Sequence, residues 1–435
     1  MMPGFHRCQH PMWCFRSSQL FALLALRISA LLVGQSRTEG QWRRRFGPAA
    51  FMELETSRRH WLERPRKDRV RLTANWDFTG QVSMGRTHSL DQHGRSDVMK
   101  RTYHVLLPKV SSGVPENAKP KNGKWPAILM FHGYGSDATA VASEGSMAKV
   151  GPSQGYMVVY VEGFPDPKSH VQSKERVWNS GSCGGPAANK HIDDVGFVSA
   201  VVDDIVKKHD ADSQRIFVAG ISNGGSMALR AFCERADLFA SAAIIHGSLE
   251  MRDGLKCAET CSNGPCDWSA TGDCSEDAWA DKLPVLFECT RPGELNKPVI
   301  FFNGMQNEWI SGGVYPHFGG SYPPLDFMVK YFYKTYGCNL SETMQSFRNG
   351  TGTDVTTCST SLCGSNITVC RSNAGDWWYG EPYDIKTPCL YKGYSEFECE
   401  PTRQFRYYGA STSSVHLTGT ILEFFHRALA DKAVL

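Results

Sequence analysis

Short apolar runs bounded by turn-forming residues recur through the chain: RTYHVLL (101–107), PAILMF (126–131), MVVYV (157–161), RIFVA (215–219), AAIIH (242–246) and PVIFF (298–302). A more polar run, QFRYY, stands at 404–408. Helical patterns lie between them. In HIDDVGFVSAVVDDIVKKH (191–209), Val195, Phe197, Val198, Val201, Val202 and Ile205 recur at helical spacing with charges on the opposite face. Asn223 to Arg235, LDFMVKYFYKTYG (325–337) and LTGTILEFFHRALA (417–430) read as further helices. Continuous apolar strands interleaved with amphipathic helices predict an α/β architecture: a mostly parallel, doubly wound sheet covered on both faces. Residues 252–292 and 340–402 break the alternation, being rich in Cys, Ser, Thr, Asn and Gly. They read as disulfide-stapled insertions over the sheet edge, not as separate domains.

With 435 residues, 41% of them hydrophobic, the chain can bury a large core in one domain with insertions, or in two domains at most. The net charge of +3 is unevenly placed. Residues 1–36 carry three Arg and no acid, and residues 37–71 carry eleven basic residues against five acidic ones. The remainder therefore sits at −6, which excludes nucleic acid as the partner of the folded body. LFALLALRISALLVG (20–34), preceded by Arg16, has the character of a secretory hydrophobic region. Interrupted by Arg27 and only 15 residues long, it is short for a stable membrane span. Residues 1–36 are thus expected to be a signal peptide or signal anchor, 37–74 a basic linker or propeptide, and 75–435 the main domain. Thirteen of the fifteen cysteines fall between Cys183 and Cys399, without the spacing of a zinc site. Asn339-Leu-Ser, Asn349-Gly-Thr and Asn366-Ile-Thr are glycosylation acceptors among them. Both features fit an oxidising, extracellular destination, with membrane anchoring facing the lumen or outside as the alternative.

The candidate chemistry centres on RIFVAGISNGGSMALRAF (215–232), where a strand passes through Gly220-Ile221-Ser222-Asn223-Gly224 into a small-residue helix. A nucleophilic serine needs that context, because a sharp strand-to-helix turn lifts its hydroxyl above the carboxyl edge of the sheet. A second match, Gly151-Pro152-Ser153-Gln154-Gly155, precedes a strand instead of following one and is a chance hit. An acyl-transfer serine also needs two backbone N–H groups aimed at the developing oxyanion. Phe131-His132-Gly133-Tyr134-Gly135 follows a strand and supplies such a loop, so the amides of Tyr134 and Asn223 form the expected pair.

FHGYG, then VWNSGSCGGPAANKHIDDVGFVSAVVDDI, then the segment from RIFVAGISNGG to AAIIHG together resemble the secreted polyhydroxybutyrate-depolymerase and feruloyl-esterase-like family of α/β-hydrolases. The resemblance covers about 100–250 and resumes over KPVIFFNG and the helix ending at Cys338. It implies carboxylic-ester hydrolysis through a Ser-His-Asp triad with no metal or organic cofactor. The second half of that triad departs from the family pattern. Similar proteins read HG-T-x-D after the strand KPVIFF, whereas this chain reads Asn303-Gly304-Met305-Gln306-Asn307-Glu308. Asn307 therefore occupies the aspartate position, and Glu308, one residue on, is the substitute acid. The family's GGGHxWP is absent, leaving His416, just before the final helix, as the candidate base. His426 lies within that helix and reads as packing, and His317 comes too early.

The expected protein is a secreted, monomeric serine esterase acting on polysaccharide-linked feruloyl or acetyl esters or on polyester-type substrates, small or polymeric. Two rivals stand beside it: a pseudo-esterase that binds glycans or polymers, and a cysteine-rich surface protein using the core as scaffold. Asp193-Asp194 read as a helix cap, Cys183 as a partner for a cysteine such as Cys233, and Trp377-Trp378-Tyr379 as a local aromatic core.

Overall fold

The computed structural model describes residues 75–90, 96–109, 114–165, 176–181, 185–249, 296–305, 313–315, 320–322, 325–338, 343–351, 354–363, 365–373 and 415–431. All of them belong to the larger of two units, Arg69–Leu435. Ten strands form one sheet: β1 (Phe78–Leu90), β2 (Ser96–Leu106), β3 (Trp125–Phe131), β4 (Met157–Val161), β5 (Ala211–Ile221), β6 (Ser241–Ile245), β7 (Val299–Gly304), β8 (Thr343–Thr351), β9 (Asp354–Cys363) and β10 (Ser365–Ser372). Their spatial order is β1-β2-β4-β3-β5-β6-β7-β10-β9-β8. The six central strands from β4 to β10 run parallel, and antiparallel strands flank them at both ends. This is an α/β-hydrolase fold with β5, the strand that leads to Ser222, in its centre.

The helices are α1 (Ala138–Glu144), α2 (Met147–Ser153), α3 (Gly185–Asn189), α4 (Asp194–Lys208), α5 (Asn223–Glu234), α6 (Leu325–Thr335) and α7 (Leu417–Asp431). Side-chain alternation on the strands decides which helix covers which face. Ala127, Leu129 and Phe131 of β3 join a core with Phe197 and Val201 of α4, Met227 and Phe232 of α5, and Met328 and Phe332 of α6. Ile128 and Met130 point the other way, into a core with Val141, Met147, Ile421 and Phe425. Every apolar run from 101 to 302 is therefore a strand of this sheet, while QFRYY lies outside the described residues.

The segment 340–402 requires correction. Much of it, residues 343–372, is not an insertion over the edge but three strands of the main sheet, with β10 pairing in parallel with β7. Its Thr and Ser residues hid the pattern. Val355, Thr356, Cys358 and Ser361 of β9 are buried, and Ile367, Thr368, Val369 and Cys370 of β10 are buried in an unbroken run, so Thr, Ser and Cys fill places that aliphatic residues hold in the other strands. Cys358 and Cys370, directly opposite in register, form a disulfide. The other segment, 252–292, lies outside the described residues.

Packing of α7 carries one consequence for pH. His426 stacks on Tyr156 with ring centroids 5.3 Å apart. Burial holds its imidazole below the ordinary histidine value, against a weaker pull from Glu423. Burial does the same to His209, with Asp204 partly opposing. A depressed histidine favours the fold above its unfolded pKa, and that contribution is lost as pH falls and the unfolded chain takes up the proton. Thermal unfolding is expected at lower temperature at pH of about 5 than at about 7, and His426→Phe should shrink that difference. An unchanged difference in the variant would assign the effect elsewhere.

Candidate active site

Ser222 stands between the end of β5 and the first residue of α5, with φ 55° and ψ −125°. A non-glycine residue in this region is strained, and such strain persists only where the surroundings impose it. They do so through backbone contacts. Ser222 N–H donates to the Ile245 carbonyl at 2.9 Å, and the Ser222 carbonyl accepts from Ser226 N–H at 2.9 Å. The neighbouring glycines are required by space: a Cβ on Gly220 would run into the Gly224 carbonyl, and one on Gly224 into the carbonyls of Phe131 and His132. Ser222 is half-exposed while its neighbours Ile221 and Asn223 are buried. Ser153, by contrast, closes α2 and donates its hydroxyl to the Val150 carbonyl at 2.8 Å.

The loop after β3 lies against this elbow. A Cβ built on Gly133 would stand 3.6 Å from the Ser222 Cβ. His132, fully buried, fixes the loop: its Nδ1 bonds the Gly133 carbonyl at 2.8 Å and its Nε2 accepts from Gly163 N–H at 3.0 Å. Gly135, at φ 67°, donates to the Arg176 carbonyl at 3.0 Å. Tyr134 is half-buried and packs against the cluster of Phe164, Val177, Ala187 and Ile192. On the other side, Asn223 is the first residue of α5, whose leading amides have no partner within the helix and whose dipole favours negative charge.

Sequence reasoning gave no role to the segment that joins these two halves. Trp178 N–H donates to Asn223 Oδ1 at 2.9 Å, and Asn223 Nδ2 donates to Ser180 Oγ at 2.6 Å and to the Trp178 carbonyl at 3.3 Å. The Trp178 indole N–H donates to the His132 carbonyl at 2.9 Å. Residues 178–180 thus form a strut between the loop after β3 and the elbow. Its far side is anchored by Asp194, whose Oδ2 accepts from Asn179 N–H at 2.7 Å and whose Oδ1 pairs with Arg101 at 2.7 Å. Arg101 lies over the Phe197 ring at 4.2 Å and that of Trp178 at 5.8 Å. Arg230 adds a bond to the Asn179 carbonyl at 2.8 Å. The acidic pair therefore divides its work. Asp193 caps α4, accepting from Gly196 N–H at 2.7 Å, while Asp194 is a buried ion-pair partner. The sequence signal was Arg101, a charge opening an otherwise apolar strand run.

Both members of the Arg101–Asp194 pair are buried, so removing one strands the other without solvent. Asp194→Ala is expected to cost about 3–5 kcal/mol in chemical denaturation. The double variant Arg101→Met/Asp194→Leu should recover much of it, and a double variant as unstable as the single one would refute this account.

His416 immediately precedes α7 and is exposed. Its Nδ1 accepts from Gly419 N–H at 3.1 Å and its carbonyl accepts from Thr420 N–H at 2.9 Å, which makes it the cap of that helix. His426 packs, as expected, on Tyr156. Asn307, Glu308, His317, Cys183 and Trp377 to Tyr379 lie outside the described residues. Cys233, behind the elbow in α5, and Cys338 are disulfide-bonded. Among the described residues no group of three His, Cys, Asp or Glu side chains could hold a metal, and no helix is long and apolar enough to cross a membrane.

Loop, strut and elbow fall together within one stretch that is found in known proteins. Residues 115–254 match the family model described as Esterase PHB depolymerase. Feruloyl esterase B of Piromyces equi is 32% identical over 134 residues, which is 30% of this chain and 23% of that relative. NocK of Nocardia uniformis subsp. tsuyamanensis is 27% identical over 124 residues, 28% of this chain and 33% of its own length. The chain thus spans a third or less of these curated relatives. Among solved structures, the acetyl xylan esterase from Aspergillus awamori is similar at 14% identity and a TM-score of 0.42, over 73% of this chain and 100% of that one. The Esterase PHB depolymerase match contains Ser222, Asn223, Tyr134, Trp178 and Asp194, and it ends before the loop after β7 and before His416.

Proposed function

We propose that the protein is a secreted serine carboxylic-ester hydrolase. Its substrates are feruloyl or acetyl esters on polysaccharides, or polyester-type esters, and it works through an acyl-enzyme. The observation that carries this reading is Ser222 at positive φ, opening α5 with the Gly133–Tyr134 loop against it. In the reaction, Ser222 Oγ attacks the ester carbonyl while its proton passes to a base. The amides of Tyr134 and Asn223 donate to the oxyanion, the alcohol leaves with the proton, and water then releases the acyl group. His416 is the proposed base, oriented by Glu308 or, less well, by Asn307. The compartment reading is supported by the Cys358–Cys370 disulfide together with the bonded Cys233 and Cys338.

Labelling of the full chain by a fluorophosphonate, beside a Ser222→Ala control, tests the reading. Labelling that disappears in the variant is expected. Folded protein that takes no label would remove the hydrolase assignment. A second reading, an esterase-like binding protein, draws on the helix cap made by His416. With Nδ1 accepting from a backbone N–H, the neutral ring carries its proton on Nε2. That is the opposite of the tautomer a general base needs, so catalysis requires the ring to leave the cap.

A further inference from the structure

Asn349 sits where a covalent modification would have a structural purpose. β8 is the last strand of the sheet, and among the described residues no strand pairs with its outer side. Such an edge presents alternate N–H and C=O groups to any second chain, a liability that folded proteins block with charges, bulges or covers. One half of β8 already carries a bulge, since its register with β9 shifts between Met344 and Ser346. The other half pairs regularly, from Ser346 opposite Ser359 to Thr351 opposite Asp354, and is the more open to strand addition. There Arg348, Asn349 and Gly350 are exposed. Asn349-Gly350-Thr351 is a complete acceptor sequence at the hairpin end, with Gly350 at φ 103°. Asn349 Oδ1 accepts from Gly350 N–H at 3.0 Å.

The second acceptor is placed differently. Asn366 is half-buried on β10, which has strands on both sides, and its Thr368 is buried with the hydroxyl bonded to that of Thr360 at 3.0 Å. A bulky, solvated group fits Asn349 without disturbing the sheet and does not fit Asn366 as well. We propose that Asn349 carries an N-linked glycan that shields the regular half of β8 from pairing with a second copy of the chain. In the transfer, Asn349 Nδ2 bonds the anomeric carbon of a lipid-linked oligosaccharide and loses one proton, while the carbon–oxygen bond to the lipid pyrophosphate breaks and the pyrophosphate leaves. The inference rests on the secretory reading above and is independent of the hydrolase reading.

The test uses the full chain secreted from eukaryotic cells. Release of glycans by peptide-N-glycosidase in heavy-oxygen water, followed by peptide mapping, should show Asn349 converted to labelled Asp. Asn349→Gln and Thr351→Ala should each lose one glycan, and Thr351→Ser should keep it. Light scattering of concentrated protein should shift toward the dimer mass for Asn349→Gln and for the enzymatically stripped chain, but not for Thr351→Ser. An unlabelled Asn349 beside a labelled Asn339 or Asn366 would overturn the site. A glycan at Asn349 whose loss leaves the mass unchanged would overturn its shielding role. No label on any of the three would overturn the inference together with the secretory reading.

Discussion

A Ser222→Ala chain is expected to hydrolyse a soluble ester with kcat lowered about 10⁶-fold, while its KM stays within a few-fold of the parent. The change removes the attacking oxygen and little else. The strained backbone at residue 222 is held by the Ile245 carbonyl and by the packing of Gly220 and Gly224, none of which the hydroxyl supports. The residual rate is informative in itself. Intact oxyanion donors leave a rate about 10³-fold above water even without the nucleophile. A residue at that level would count in favour of the Tyr134 and Asn223 amides, and unchanged turnover would dispose of Ser222 as nucleophile.

His416→Asn is expected to lower both turnover and fluorophosphonate labelling by about 10⁴-fold or more, with thermal stability nearly unchanged. Asparagine is among the best helix caps, so the variant keeps an acceptor for the Gly419 N–H and deletes only the base. That separation matters here, because an alanine at 416 would confound a lost cap with a lost base. Activity that survives in His416→Asn would assign His416 to the cap alone and move the base to another histidine.

The first half of the site was legible in the sequence because its chemistry and its packing demand the same residues. Gly220, Gly224 and Ser222 are written into a strand-to-helix turn that few other residues could make, and Gly133 approaches the same turn. Asn223 was read for its amide alone, yet its side chain does as much, clamping Trp178 and Ser180. Such a clamp joins residues 45 positions apart and leaves no periodic trace. The same holds for Arg101 and Asp194, separated by 93 positions and meaningful only as a pair. The strands β8 to β10 were missed for another reason: alternation of Thr, Ser and Cys looks like loop composition until the sheet shows which of them are buried. Asn307 and Glu308 were nominated by position alone and lie outside the described residues, while His416 was nominated without sign of its place as the cap of α7, a role set by the Gly419 and Thr420 amides that no spacing encodes.

The way the sheet is threaded also sets a timetable. Strands β1 to β6 all lie within residues 78–245, so the loop after β3, the strut and the elbow are complete in sequence before β7 begins at Val299. A growing chain emerges N-terminus first at about 5–20 residues per second, and its early part can fold while the rest is still being made. β10 reaches its place beside β7 only after some sixty further residues, and the Cys358–Cys370 bond, spanning 12 residues, closes within that late portion. Of the described elements α7 is made last, laying Phe425 on Phe217 with ring centroids 4.4 Å apart and bringing His416 with it. A nascent chain therefore carries the Ser222 elbow, with the strut and the loop after β3 packed against it, well before it carries His416.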